Sequence, residues 1–361
     1  MLFQAHYTFG PVALRELKQP PGPPWEPPLR GTVERLVVSS EILADNPLRD
    51  PATRPLYVYR APGALGETVP SVYMLQGYSG QLDQWLARSA FEPTVVERLD
   101  RMFAAGECPP AIVVFVDAWT SLGGSQFLNS SATGRYMDYV CEEVVQFIDA
   151  RYPTLEGREH RGLAGKSSGG YGAMVVSMCR PDVFGAFASH AGDALFECCY
   201  LPEFPKVART LRDHFDGSFE TFLERLHQAD HFDWEHHGSV FSAYAMAAAY
   251  SPDPADPGTV LLPFEIETGR LVDEVWQRWL RWDPVRMAAR NGEALRSMRR
   301  IYLDAGRSDE FFLDLGAQAF AAELGRVGAD YSLELFDGGH GGISYRYPAA
   351  VRELVLALGH G

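Results

Sequence analysis

Hydrophobic and polar positions along the chain follow two periods, and the switch between them marks the elements. "TVERLVVSSEIL" and "RPLYVYRAP" alternate as half-buried strands do, on either side of the turn-forming "DNPLRDPATR". "SVYMLQGYSG" and "AIVVFVDAW" hold unbroken apolar runs, the pattern of central parallel strands covered on both faces. Helical spacing follows each of them, in "QLDQWLARSAFEPTVVERLDRMFAAG" and in "GRYMDYVCEEVVQFIDARYP", which Pro153 stops. "REHRGLAG" then reads as a short strand, "SGGYGAMVVSMCRP" as a helix ended by Pro181, and "GAFASHAG" as another short strand. "MRRIYLDAG", "DLGAQAFAAELGRVG", "YSLELFD" and "AAVRELVLALG" repeat the strand–helix order up to the end.

Strands alternating with helices predict one α/β domain, a mainly parallel sheet with helices on both faces. Its core is expected over residues 33–194 and 296–361. Between about 195 and 295 the alternation fails, and an aromatic-rich stretch with the amphipathic "LVDEVWQRWLRW" predicts a helical cap insertion. Residues 1–32, with "QPPGPPWEPP", are too rich in proline for helix or central strand and are expected to form an extended arm. No internal repeat is visible.

The bulk numbers narrow the function classes. In 361 residues, 46% hydrophobic and 22% charged positions allow a sizeable core. A net charge of −15 argues against nucleic acid and anionic membrane surfaces as partners. No apolar run reaches the roughly 18 residues that span a bilayer, and the N-terminus lacks the signature of a secretory signal. Five irregularly spaced cysteines fit reduced, mostly buried thiols in a cytoplasmic protein. Homo-oligomerisation stays open.

Candidate chemistry concentrates in "GLAGKSSGGYGAM", residues 162–174. A phosphate loop would need Gly five residues before Gly165, where His160 stands, and a dinucleotide fingerprint starting at Gly170 ends on Val175. Gly165-Lys166-Ser167-Ser168-Gly169 does match G-x-S-x-G, between a strand and a helix. In that pattern a nucleophile sits on a tight turn whose flanking positions have no room for side chains. Only Ser167 has glycine two before and two after. Ser168, next in line, would offer its backbone N–H to an oxyanion at the helix N-terminus. A serine nucleophile needs a histidine base and an acid to orient it, in chain order Ser, acid, His for this fold class. Asp309 and His340 stand in the loops after two later strands, with Glu310 and Asp304 as rival acids. By position, the second oxyanion donor is the backbone N–H of Tyr78, after Gly77. Lys166 has no evident role.

"YMLQGYSG", "GKSSGGYGA", "AGRSDEF", "DGGHGG" and "WDPVRM" together resemble the esterase D-like, enterochelin esterase-like family of the α/β-hydrolase superfamily. That family includes feruloyl esterases, S-formylglutathione hydrolases and mycolyltransferases, and the resemblance covers roughly residues 33–360. It implies Ser167, Asp309 and His340 as a triad, and the amides of Tyr78 and Ser168 as an oxyanion hole. Gln76 replaces the family's usual histidine before Gly77, the insertion is longer than in compact members, and the cysteine-bearing segment of S-formylglutathione hydrolases is absent.

The expected reaction is hydrolysis of a small to medium ester with an apolar or aromatic acyl group, through an acyl-enzyme and without a cofactor. Its rate should rise with pH through the histidine range, about 6–7. Gly77, Tyr78, Trp234 and Trp279 are candidate substrate contacts. Of the aromatics in the insertion (Phe196, Tyr200, Phe204, Phe232, Trp234, Phe241, Tyr244, Trp276, Trp279), most are expected to form its own core. His227 and His231 are four apart in a segment read as helical, a metal-ligand spacing, but the glutamate of H-E-x-x-H is missing and a solvated surface is the expectation, with no metal. Acyl transfer, enterochelin- or feruloyl-type hydrolysis, and a non-catalytic binding scaffold are the alternatives.

Overall fold

The computed structural model describes residues 28–89, 91–256 and 259–359. Most of the proline-rich arm, residues 1–27, lies outside them.

Among the described residues ten strands form: β1 (Thr32–Ser39), β2 (Thr53–Arg60), β3 (Ser71–Leu75), β4 (Ile112–Val116), β5 (Asn129–Ser130), β6 (Gly134–Arg135), β7 (Arg161–Lys166), β8 (Ala186–His190), β9 (Arg300–Gly306) and β10 (Ser332–Phe336). Eight of them make one sheet in the order β1-β2-β4-β3-β7-β8-β9-β10. β1 and β2 run antiparallel, and β3, β4, β7, β8, β9 and β10 pair in parallel. β5 and β6 pair only with each other.

Period-two alternation explains both layers. Tyr73 and Leu75 of β3, with Ile112, Val114 and Val116 of β4, enter one buried cluster, while Val72, Met74, Val113 and Phe115 enter the other. The second cluster is covered by α1 (Val95–Ala104) and the C-terminal α13 (Tyr347–Leu358). The first lies under a helix of two α segments, α2 (Tyr136–Asp138) and α3 (Val145–Asp149), joined through a π turn, and under α4 (Ser168–Cys179). Between β8 and β9 run α5 (Phe196–Cys199), α6 (Phe204–His214), α7 (Phe219–Gln228), α8 (Ser239–Tyr250), α9 (Asp273–Leu280), α10 (Pro284–Arg290) and α11 (Gly292–Arg296). α12 (Leu313–Val327) and α13 (Tyr347–Leu358) follow β9 and β10.

The base of the β8–β9 segment is clasped by one carboxylate. Asp283, fully buried, caps α10 by accepting from Val285 N–H at 3.0 Å, and it also accepts from Leu195 N–H at 3.0 Å and Phe196 N–H at 3.1 Å. Burial pushes its acidity down, and the three N–H donors work against that shift. The Asp-Pro of "WDPVRM" thus joins the two ends of the segment.

Local expectations fail in four places. The stretch 81–106 is not one helix. A 3-10 turn covers Leu82–Trp85, and α1 starts only after Thr94, whose hydroxyl and Glu97 form a capping box, because Pro93 disfavours helix at the residue before it. Arg158–His160 is a 3-10 turn, so β7 begins at Arg161. Gly134 and Arg135 belong to β6 rather than to the helix, which starts at Tyr136. α7 ends at Gln228, so His227 is on the helix and His231 beyond it, and the ligand spacing is not presented on one helical face.

Candidate active site

Parallel pairing aligns the strand ends. Leu75 pairs with Gly165, Lys166 with His190, and His190 with Asp304, so the loops after β3, β7, β8 and β9 open along one edge. In an open parallel sheet that carboxyl edge is where ligands bind.

Between β7 and α4 the chain reverses within one residue. Ser167 takes φ 57° and ψ −128°, a strained conformation for a residue with a side chain. Its neighbours explain how the turn closes. A Cβ on Gly169 would overlap the carbonyl oxygens of Leu75 and Gln76, and one on Gly165 would overlap the backbone of Gly169. Gly169→Ala is therefore expected to destabilise the fold by at least about 2 kcal/mol, read as a lower midpoint in urea denaturation. An unchanged midpoint would mean the strand–helix approach is not tight. Gly77 lies against the same turn, since a Cβ there would sit 3.3 Å from the Lys166 carbonyl and 3.6 Å from Ser167 Cβ. α4 itself is buried from Ser168 to Met178, which removes any amphipathic stripe.

The turn opens into a cavity of about 600 Å³. Its wall includes Gly77, Tyr78, Lys166, Ser167, Ser168, Trp234, Trp279 and His340. Asp309 stands behind His340, with His340 Nδ1 2.8 Å from Asp309 Oδ2. Asp309 Oδ1 accepts from Phe311 N–H at 2.9 Å, and its carboxylate is sealed from solvent. Of the rival acids, Glu310 accepts from the backbone N–H of His340 at 2.7 Å, and that bond holds its acidity above the ordinary range. Asp304 is buried on β9 with Oδ1 2.7 Å from His190 Nδ1 and Oδ2 accepting from Arg346 Nε at 3.0 Å. Burial works against its charge, but His190 and Arg346 outweigh it and keep Asp304 ionised. Asp309 and Glu310 thus hold His340 by ring and by backbone, and Asp304 holds His190 and Arg346.

Lys166 is largely buried, which lowers its pKa, while Asp309, Glu310 and Asp193 act the other way. Of the insertion's aromatics, Tyr200, Phe204, Trp234 and Trp279 reach the cavity, whereas Phe196 and Trp276 are buried in the segment's own packing. Trp279 is wholly buried and donates from Nε1 to Ser251 Oγ at 2.8 Å. Trp234 is half exposed and meets the Tyr78 ring edge-on, centroids 6.4 Å apart. Gln76 is buried, with neither side-chain polar atom partnered among the described residues.

Sequence reasoning missed Asp193. It lies in the loop after β8, lines the cavity, and accepts from Tyr200 Oη at 2.8 Å, Gln126 Nε2 at 3.1 Å and Ser168 Oγ at 3.3 Å. The available signal was a lone acid just past a strand end, in "SHAGDALF". Among the described residues, no three His, Cys, Asp or Glu side chains gather as metal ligands.

A mostly parallel eight-stranded sheet, helices on both faces and a nucleophile-type turn at the carboxyl edge define the α/β-hydrolase fold. The family described as "Putative esterase" matches residues 53–340, and the chain belongs to it. The chain is 18% identical to a ferulic acid esterase structure, with 92% of this chain and 99% of that one covered at a TM-score of 0.57. It is 16% identical to the S-formylglutathione hydrolase of Agrobacterium tumefaciens, with coverage of 92% and 98% and a TM-score of 0.56. The endo-1,4-beta-xylanase/feruloyl esterase of Xylanibacter ruminicola is 22% identical over 151 residues, which are 42% of this chain and 20% of that protein. The chain thus spans about a fifth of that relative's length. No helix among the described residues is long and apolar enough to cross a membrane, and all five cysteines are free thiols.

Proposed function

We propose that the chain hydrolyses small to medium carboxylic esters with apolar or aromatic acyl groups, using Ser167 as nucleophile, His340 as general base and Asp309 as the acid that orients it. The strained Ser167 backbone at the mouth of the cavity carries this reading. Nδ1 of His340 is occupied by Asp309, which leaves Nε2 to take the Ser167 proton as Oγ attacks the ester carbonyl. The imidazolium that forms faces a buried carboxylate, so its charge is met at once. The oxyanion falls to the backbone N–H groups of Ser168, at the start of α4, and Tyr78, whose loop rests on Ser167 through Gly77. Fixed main-chain donors there need no reorganisation as charge develops. His340 then returns its proton to the leaving alcohol, and water attacks the acyl-enzyme by the same route.

The helices between β8 and β9 act as a cap over this chemistry, with Tyr200, Phe204, Trp234 and Trp279 as the acyl wall. Aromatic walls suit flat or apolar acyl groups, the class named in its feruloyl esterase relatives. A panel of p-nitrophenyl esters checks this. kcat/KM is expected to rise from acetyl to medium-length and aromatic acyl groups and to fall beyond the size that the cavity holds. Highest activity on acetate would overturn the acyl-wall reading. A fluorophosphonate probe, expected to label Ser167, separates this catalyst from a ligand-binding scaffold.

A further inference from the structure

We infer that Asp193 determines specificity: it receives an ammonium group carried at the far end of the acyl chain. This goes beyond the acyl preference proposed above, adding a charged end to the acyl chain, and rests on the esterase reading. Asp193 is 6% exposed, and all three of its protein hydrogen bonds converge on one oxygen, Oδ2. Oδ1 has no donor among the described residues, yet it is not among the atoms sealed away without a partner, and the residue lines the cavity. One oxygen is therefore fixed from behind and the other is presented to whatever fills the cavity.

The donors that hold it are neutral: two hydroxyls and an amide. Among the described residues no Lys, Arg or His nitrogen makes an ion pair with it. Buried carboxylates are ordinarily paired with a cation or become protonated, and burial here does push Asp193 toward the protonated form. Lys166 and His340 act on Asp193 through space without forming an ion pair with it, and a substrate ammonium would supply a direct one. Tyr200, which donates to Asp193, and Trp279 line the same cavity, their rings edge-on with centroids 5.6 Å apart. Ser168, which bonds Asp193 at 3.3 Å, follows the proposed nucleophile in the chain, and both line the cavity that would hold the acyl group. A charge-assisted bond to a fixed carboxylate is also stronger than one from a neutral hydroxyl.

A matched pair tests it: methyl 5-aminopentanoate against methyl hexanoate, which differ by an ammonium in place of a terminal methyl, with wild type and Asp193→Asn. Wild type is expected to favour the amino ester in kcat/KM by about tenfold or more. The variant should lose that preference, mainly through KM. Equal or greater wild-type activity on hexanoate overturns the assignment. So does an equal loss on both esters in the variant, since a role in holding Ser168 would not discriminate. The wild-type comparison decides the matter even if the variant folds poorly. Turnover of p-nitrophenyl acetate by wild type but not by Ser167→Ala keeps the esterase reading apart from this one. If wild type turns over none of the three esters, both readings fall.

Discussion

Ser167→Ala is expected to lower kcat/KM on p-nitrophenyl acetate by about 10⁴-fold or more, while Ser168→Ala keeps activity within about tenfold. The two serines are adjacent in sequence and opposite in role. Ser167 presents its Oγ from a strained turn into the cavity that His340 also lines. Ser168 turns its own hydroxyl away from the nucleophile's position, toward Asp193 at 3.3 Å. Removing that hydroxyl costs one long hydrogen bond and leaves the main-chain N–H in place, because a backbone donor survives any side-chain change. Removing the Ser167 hydroxyl leaves nothing to form the acyl-enzyme. Steady-state rates, with thermal melts to show that both variants fold, decide between them. An inactive Ser168→Ala beside an active Ser167→Ala would reverse the assignment.

Asp309→Asn should cost about 10⁴-fold in kcat, while Glu310→Gln stays within about tenfold. Asp309 holds the ring of His340 through Nδ1, so an amide there would favour the tautomer that places the imidazole proton on the wrong nitrogen. Glu310 holds only the backbone N–H of His340, and a glutamine oxygen can accept the same bond. Asp304 is already committed to His190 and Arg346 inside the sheet, so it cannot replace Asp309. Comparable losses at 309 and 310 would mean that the loop, rather than the carboxylate on the ring, is what matters.

The glycine spacing around Ser167 was legible because it is a local steric demand. Gly165 and Gly169 have no room for Cβ, and the chain cannot make this turn without them. The strands were legible for a similar reason: runs such as Val72–Leu75 and Ile112–Val116 are buried on both faces, and apolar continuity records that directly. The interruption of the helix before Thr94 was also written locally, in Pro93 and the Thr94–Glu97 capping box, but helical spacing masked it. Choosing among Asp304, Asp309 and Glu310 was different. All three lie within seven positions near one strand end; the loop position past that end favoured Asp309, but only the fold shows which carboxylate meets the ring of His340.

By itself, then, the sequence determined the alternating architecture and the turn that carries Ser167. These depend on burial and steric limits acting over a few residues. Only the tertiary structure decided that Asp309 takes the ring and Glu310 the backbone of His340, that Asp283 ties Leu195 to α10, and that Asp193 meets Gln126 and Tyr200 at the cavity wall. Those partners are 7 to 88 positions apart. Electrostatic and hydrogen-bond partnerships act through space, so they come into being only when the sheet brings its loops to one edge.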